Sequence, residues 1–516
     1  MKSPDSYYIT TAIAYPNGKP HMGHAYEVVA TDAIARYHRL AGRDVLFLTG
    51  TDEHGLKIAQ AARAAGVAPK AYVDAQVEAF QAMAAAFDIS HDRFIRTTDA
   101  DHYAASQALW RAMAAAGDIY LDRYEGWYSV RDEAYYDESE LVDATDASGR
   151  AVRLSPQGTA VEWTVEESWF FRLSRYAERL LAWYDQQPTP VAPASRINEM
   201  RAFVERGLKD LSISRTSFDW GVPVPDATGE GPGHVMYVWV DALTNYLTGA
   251  GYPEAGFDRR WPADLHVIGK DVVRFHAVYW PAFLMSAGLP LPGCVFGHGF
   301  ILDHGGDKMS KSAGNVVDPL ALAETLGPDR LRWYLLAGVV FGEDGHYSHA
   351  AIVERTNADL ANGIGNLAQR SLSMIAKNCN GLMPAIEATG EAEEALAEAL
   401  AAGSANYHAE MTALRLHRGL EALTGMVADA NAYFADAAPW ALKADPARRA
   451  AVLATTADAV RRIAILAQPA IPGAAAKLLD QLGVAPHART FAHLDTRVAA
   501  GTPLPPPVGV FPRWVD

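Results

Sequence analysis

An uncharged run stands near the start of the chain. Tyr7 to Ala14 is β-branched and aromatic, the pattern of a strand buried on both faces. A Pro16-Asn17-Gly18 turn and Gly23 follow, and apolar residues then recur at helical spacing from about His24 to Leu40. Val45 to Leu48 reads as a second buried strand, stopped by Thr49-Gly50-Thr51-Asp52. Ala-rich helical patterns cover Ala59 to Phe87 and Ala104 to Ala116. Strand, turn, helix and strand in this order open an α/β fold built on a doubly wound, Rossmann-like parallel sheet.

From about Gly117 the texture changes. Tyr120 to Trp169 is dense in Tyr, Trp, Glu and Asp, with turn signals at Ser148-Gly149 and Pro156-Gln157-Gly158. This predicts a small β-rich insertion, followed by a helix near Ser174 to Tyr184. Val235 to Val240 resumes as an apolar strand and Leu265 to Ile268 as another, so the insertion splits the sheet, whose second half runs to about Asp318. From Ala350 onward Ala, Leu and Glu dominate, with breaks at Gly381 to Pro384, Ala438-Pro439 and Pro469 to Gly473, which predicts a C-terminal α-helical bundle. Thr502 to Pro507 is a proline-rich tail with no core of its own. The expected division is residues 1–116 for the first half of the sheet, 117–231 for the insertion, 232–324 for the second half, 325–349 for a linker and 350–516 for the bundle.

A length of 516 residues agrees with several domains, and no internal repeat accounts for it. The net charge of −16 argues against indiscriminate nucleic-acid binding, yet allows an RNA partner held by local Arg and Lys patches. Two cysteines, Cys294 and Cys379, have no spacing that suggests a metal site or a disulfide framework, which fits a reducing cytoplasm. The Met1 to Tyr8 segment has no apolar signal core, and no apolar run is long enough for a bilayer, so no membrane partner is expected.

Two segments carry candidate chemistry. His21 and His24 stand three apart where the turn gives way to helix, so they face one way, and backbone N–H groups at a helix start favour an anion. Gly23 between them leaves room for a flat base against the backbone. Adenylyl transfer spreads negative charge around the α-phosphorus, where preorganised donors lower the barrier. Taken alone, two histidines in a turn could equally be metal ligands or surface residues. The second segment, Lys308-Met309-Ser310-Lys311-Ser312, lies between Gly305-Gly306 and Ala313-Gly314-Asn315, a hinged loop whose ammonium groups suit the β- and γ-phosphates. By itself it would pass for a solvated basic loop.

Together, in this order, the two segments resemble the paired signatures of the class I aminoacyl-tRNA synthetases. The resemblance narrows to the methionyl family, bacterial type without zinc-knuckle cysteines, and covers nearly the whole chain. It rests on Ala14 to Gly18, Thr49 to Gly55, Tyr237 to Ala242, Lys270 to His276 and the run to Trp280, Asn366 to Arg370, and Pro439-Trp440. It implies ATP-dependent activation of L-methionine, with Mg2+ accompanying ATP, and transfer to initiator and elongator tRNA(Met). His21, His24, Lys308 and Lys311 would be catalytic, and Gly23, Met309, Ser310 and Ser312 would join them around ATP. A thioether is apolar and polarizable, so aromatic surfaces should read it. The implied methionine site has Tyr15 facing the sulfur and Asp52 the α-ammonium, with Ile13, Trp239 and Ala242 around them. Tyr246, Phe275, His276 and Trp280 complete it, although each aromatic alone could be plain core. An Asp-Glu-His run such as Asp52 to His54 could also bind metal, but no further ligand follows at suitable spacing. Asn366, Arg370, Pro439 and Trp440 would meet the anticodon, Trp440 by stacking.

The chain also departs from many relatives. No cysteine falls between Gly117 and Gly231, and Ser129 stands where some relatives have Cys, so no protein-bound zinc is expected and aromatic and hydrophobic contacts should hold the insertion. Leu243 stands where some have Pro. The insertion is too short for an editing domain, and the ending at Asp516 suggests a monomer. The rival readings are a class I synthetase for another amino acid, a nucleotidylyltransferase sharing H-x-G-H, and a tRNA-binding paralogue without activity. The short insertion, the long helical module and the intact signatures speak against them in turn.

Overall fold

The computed structural model describes residues 2–132, 134–146, 149–225, 233–303, 305–307, 309, 317–386 and 390–515. The chain forms two compact units. The first comprises Met1–Pro20, Leu46–Ala82 and His91–Gly297, and the second His21–Val45, Met83–Ser90 and His298–Asp516.

The central sheet has six strands: β1 (Ser6–Thr11), β2 (Asp44–Thr51), β3 (Arg93–Arg96), β4 (Val191–Ala192), β5 (Leu265–Gly269) and β6 (Val295–His298), in the order β3-β2-β1-β5-β6-β4. β1 pairs β5 in parallel with Ile9 opposite Leu265, and β2 pairs β3 with Leu48 opposite Arg93. Every residue of β1 is buried, which is why its sequence is an uninterrupted apolar and hydroxyl run. The order reverses between β1 and β5, the switch point beyond whose carboxyl ends α/β sheets place their ligands. β1 leads there to Ala14-Tyr15 and β2 to Asp52, with Asp52 N–H donating to Ala14 O at 2.9 Å.

Val235 to Val240 is not the strand its composition suggests. Only Val235–Met236 is extended, pairing with Ser214–Arg215, and Val238–Ala250 is a helix ended by Gly251 at φ 94°. This helix is buried on nearly all sides, and an unbroken apolar run reads alike for a buried strand and a buried helix. The Ala59 to Phe87 pattern likewise divides into Leu56–Ala65 and Pro69–Ala86, parted by Gly66 at φ 70°.

The insertion is an antiparallel sheet. Its spine pairs Ile119–Ser129 with Ala160–Phe171, and Ala134–Tyr136, Val142–Thr145 and Ala151–Leu154 extend it. Hydroxyl and carboxylate hydrogen bonds join the aromatic contacts in its internal support. Asp132 accepts from Ser155 Oγ at 2.6 Å, from Tyr136 Oη at 2.9 Å and from Thr159, while Ser129 Oγ meets Thr159 Oγ1 at 2.7 Å. After the insertion β4 is already back in the central sheet, Val191 opposite Val295.

The second unit joins the helix Met22–Leu40 to a bundle of Asn366–Asn378, Glu391–Thr412, Leu416–Ala437, Pro446–Ala467 and Pro472–Gln481. Its interior contains an unexposed arginine. Arg332 pairs with Asp32 of the first of these helices at 2.7 Å and donates to Phe87 O, Pro469 O and Ala470 O at 3.0, 2.8 and 3.0 Å. A guanidinium in low dielectric is tolerated only when its donors are used in this way. The proline-rich tail is stitched to the bundle: Pro503 bridges Leu382, Phe511 is buried, and Trp514 N–H donates to Asn357 Oδ1 at 2.8 Å.

Candidate active site

His21 caps the helix Met22–Leu40 with its own ring. Its Nδ1 accepts the Gly23 N–H at 3.1 Å, and His24 Nδ1 accepts the His21 N–H at 3.1 Å, a reciprocal capping box made of imidazoles. Both Nδ1 atoms act as acceptors, so each ring carries its hydrogen on Nε2. The rings stack with centroids 3.9 Å apart and planes 29° off parallel, so the two Nε2–H donors belong to one stacked pair. The glycine requirement has a nearer cause than a bound base. A Cβ on Gly23 would lie 2.9 Å from His21 Cε1 and 3.0 Å from Nδ1. The expectation of open backbone amides is also revised: the Gly23 and His24 N–H groups are taken up by His21 Nδ1 and His21 O, so the imidazoles replace them as donors. One turn on, Glu27 Oε2 meets His298 Nε2 at 2.9 Å, a pairing 271 residues apart that sequence reading missed.

Lys308, Ser310, Lys311 and Ser312 lie outside the described residues. Met309 is buried, and before it Asp303 Oδ1 accepts from the Gly305 and Asp307 N–H groups at 2.9 and 2.8 Å, with Gly306 at φ 86° closing the turn.

The first unit assembles the aromatic residues. Trp239 and Phe275 stack with centroids 3.7 Å apart and planes 5° off parallel, and Trp239 also meets His276 edge-on at 6.1 Å. Tyr246 Oη lies 2.7 Å from His276 Nε2, and its ring is 6.0 Å from Trp280. His276 Nδ1 donates to Val272 O at 2.9 Å, so Nε2 accepts from the tyrosine. Burial pushes the His276 pKa down to about 4, partly opposed by the Val272 carbonyl. The His276 ring is therefore uncharged at neutral pH. Ile13 and Trp239 pack against the core that holds Tyr246, Phe275 and Trp280, and Ala242 follows Trp239 on the same helix. Leu243, the position in doubt, is buried.

Tyr15 and Asp52 occupy the segment beyond β1 and β2. Tyr15 Oη donates to His54 O at 3.0 Å and Lys57 Nζ lies 5.1 Å over its ring. The Asp-Glu-His run does not converge on a metal. Glu53 turns to Arg96 at 2.6 Å, Thr51 and Thr98, whereas His54 Nδ1 turns to Asp241 at 2.6 Å. Among the described residues no group of three or more His, Cys, Asp or Glu is placed to hold a metal ion. His54, Asp241 and His102 formed no part of the expected site, although the first two lie inside quoted segments.

In the bundle, Asn366 and Arg370 are both exposed on one helix. Arg370 lies 5.1 Å over each of Phe434 and Trp440, and the two aromatics meet edge-on at 5.7 Å. Pro439 is buried and follows Ala438 at φ 40°, so the chain turns out of the helix and leaves Trp440 44% exposed. At that exposure Trp440 is not core filler.

A parallel sheet whose first strand runs into an imidazole-capped helix, split by a β insertion and followed by a helical bundle, defines the class. The family model described as tRNA synthetases class I (M) matches residues 7–372, and that described as the anticodon binding domain of methionyl tRNA ligase matches residues 383–515. The chain belongs to the methionyl family of class I tRNA synthetases. It is 58% identical to the methionine–tRNA ligase of Mesorhizobium japonicum, with 100% of this chain and 99% of that protein covered. It is 57% identical to the methionine–tRNA ligase of Mycobacterium tuberculosis, with 98% of each covered. Among solved structures, Mycobacterium tuberculosis methionyl-tRNA synthetase in complex with methionyl-adenylate is similar at TM-score 0.93 and 56% identity, covering 99% of this chain and 100% of that one. The apo form of the same enzyme is similar at TM-score 0.88 and 53% identity, covering 100% of this chain and 99% of that one.

Proposed function

We propose that this chain is a methionine–tRNA ligase, activating L-methionine with Mg-ATP and charging tRNA(Met), initiator and elongator. A methionine carboxylate oxygen attacks the α-phosphorus, the bond to the departing pyrophosphate breaks, and methionyl-adenylate forms. A ribose hydroxyl of the 3′-terminal adenosine then attacks the activated carbonyl and AMP leaves. The observation that carries the reading is the uncharged aromatic cluster of Trp239, Phe275, Tyr246 and neutral His276, whose surfaces suit a thioether and offer nothing to a charged side chain.

In this reading Asp52 pairs with the α-ammonium, and the Tyr15 ring, with Ile13, Ala242 and Trp280, encloses the side chain. His21 and His24 present Nε2–H donors to the charge that grows around phosphorus, with Gly23 keeping their rings in place. Lys308 and Lys311 hold the pyrophosphate, in the segment they share with Met309, Ser310 and Ser312. Magnesium belongs to the nucleotide substrate, and the insertion works without zinc, on its Asp132 cluster. Asn366, Arg370, Pro439 and Trp440 receive the anticodon, with Trp440 as the stacking face. The working form is a monomer in the cytoplasm, which sedimentation and cell fractionation test. Pyrophosphate exchange with each of the twenty amino acids is the primary test: exchange that depends on methionine supports the reading, and exchange driven by another amino acid or by none refutes it.

A further inference from the structure

A buried carboxylate behind the aromatic cleft takes no part in the reaction as described. Asp241 stands in the first turn of Val238–Ala250 with no exposure. Oδ2 lies 2.6 Å from His54 Nδ1, and Oδ1 lies 2.6 Å from His102 Nε2. Both histidines are held from behind. His54 Nε2 meets Tyr103 Oη at 2.9 Å, and His102 Nδ1 meets Thr248 Oγ1 at 3.0 Å.

The two ends of this arrangement belong to the two groups of residues read as the methionine site. His54 follows Asp52 by two residues, and its carbonyl takes the Tyr15 hydroxyl at 3.0 Å. Asp241 is on the helix that carries Trp239, Ala242 and Tyr246. The neighbouring Glu53 fastens the same segment on its other side, through Arg96 and through the Trp220 Nε1–H bond to its carbonyl at 2.6 Å. A hydroxyl or amide could not accept two converging N–H donors with comparable strength, whereas a carboxylate can. Burial works against the charge, but the His54 ring and the N–H bonds from His102 and His54 outweigh it and hold the Asp241 pKa down to about 2. A buried ionised group contributes little net stability compared with well-packed apolar residues, so its value here is geometric.

We propose that Asp241 is a positioning residue for the amino-acid substrate. Through His54 it sets where Asp52 and Tyr15 stand relative to the aromatic helix, and so the pose of the α-ammonium, without touching a reacting atom. This rests on reading the cleft as the methionine site.

The test is pyrophosphate exchange by Asp241→Asn, an isosteric change that the two imidazoles can accommodate by moving a proton between their nitrogens. The proposal expects the KM for methionine to rise roughly tenfold or more, while the KM for ATP stays within about twofold and the melting curve remains cooperative. Two further variants separate positioning from simple folding. His54→Gln retains an N–H that can reach Asp241, and His54→Leu does not, so Gln should recover much of the methionine KM that Leu loses. A folded Asp241→Asn protein with a methionine KM within about twofold of wild type overturns the proposal, as does equal loss in the two His54 variants. Wild-type protein that shows no methionine-dependent exchange at all would instead overturn the reading of the cleft itself.

Discussion

Gly23→Ala separates activity from stability at the imidazole cap. Glycine is not required here by its backbone angles, since Gly23 sits in the second position of an ordinary helix. The obstacle is the His21 ring, which the new methyl would meet at 2.9 and 3.0 Å, closer than carbon atoms rest. The ring must swing away, and the His21 Nδ1 bond to the residue-23 N–H goes with it. Loss of such a cap costs about 1 kcal/mol. Replacing Gly by Ala inside a helix returns about 0.5–1 kcal/mol. The two nearly cancel, so the melting temperature should move by no more than about 2 °C. Activity has no such compensation. A preorganised donor moved off the developing charge costs roughly a hundredfold to a thousandfold in kcat, about 3–4 kcal/mol. Pyrophosphate exchange and a thermal melt on the same preparation measure both. An exchange kcat within about threefold of wild type would refute the assignment of the stacked imidazoles as the donors.

Lys311→Ala should slow adenylate formation by roughly a hundredfold with methionine binding little changed, and unaltered exchange would count against the lysine loop. Trp440→Ala should raise the KM for tRNA roughly tenfold while tRNA-independent exchange persists, and loss of exchange would reveal a structural role instead. His276 is held neutral in the folded protein with a pKa near 4, against 6.5 when exposed. Its contribution to stability is therefore complete above pH 6.5 and lost as pH falls from 6.5 to 4, where it reaches roughly 3 kcal/mol. Urea titrations over that range should show a shallower pH slope for His276→Gln than for wild type, and equal slopes would refute the assignment. Asp132→Ala strands the Ser155, Thr159 and Tyr136 donors and should destabilise the insertion by about 2 kcal/mol, seen as faster amide exchange in Val142–Thr145 and Ala151–Leu154. Metal analysis that finds one zinc per chain would overturn the zinc-free reading of the same region.

What could be read from the sequence was local. The uncharged run of β1, the H-x-G-H turn and the Ala- and Leu-rich bundle each announce themselves within a few residues, because burial on both faces, helix capping and helix propensity are short-range effects. Length and partner decide the rest. Val235 to Val240 has the composition of a strand, but from Val238 it opens a helix of thirteen residues buried on nearly every side. β4 has two residues, too few for any periodicity. The pairing of His54 with Asp241 spans 187 positions and that of Glu27 with His298 spans 271, and nothing near either member signals the other. The Asp132 cluster escaped notice for a related reason: hydroxyl residues lack the recognisable spacing of metal-binding cysteines, although here they converge on one carboxylate.

Arg332 gives the molecule an unexpected kind of indivisibility. The two family models part company between residues 372 and 383, which invites truncation there to obtain a free-standing catalytic half. Such a cut would discard Pro469 and Ala470, whose carbonyls receive the guanidinium, and would leave Arg332 short of two acceptors beside Asp32 of the helix that begins at the paired imidazoles. The boundary by which homologues are catalogued is thus not one along which this polypeptide can be divided.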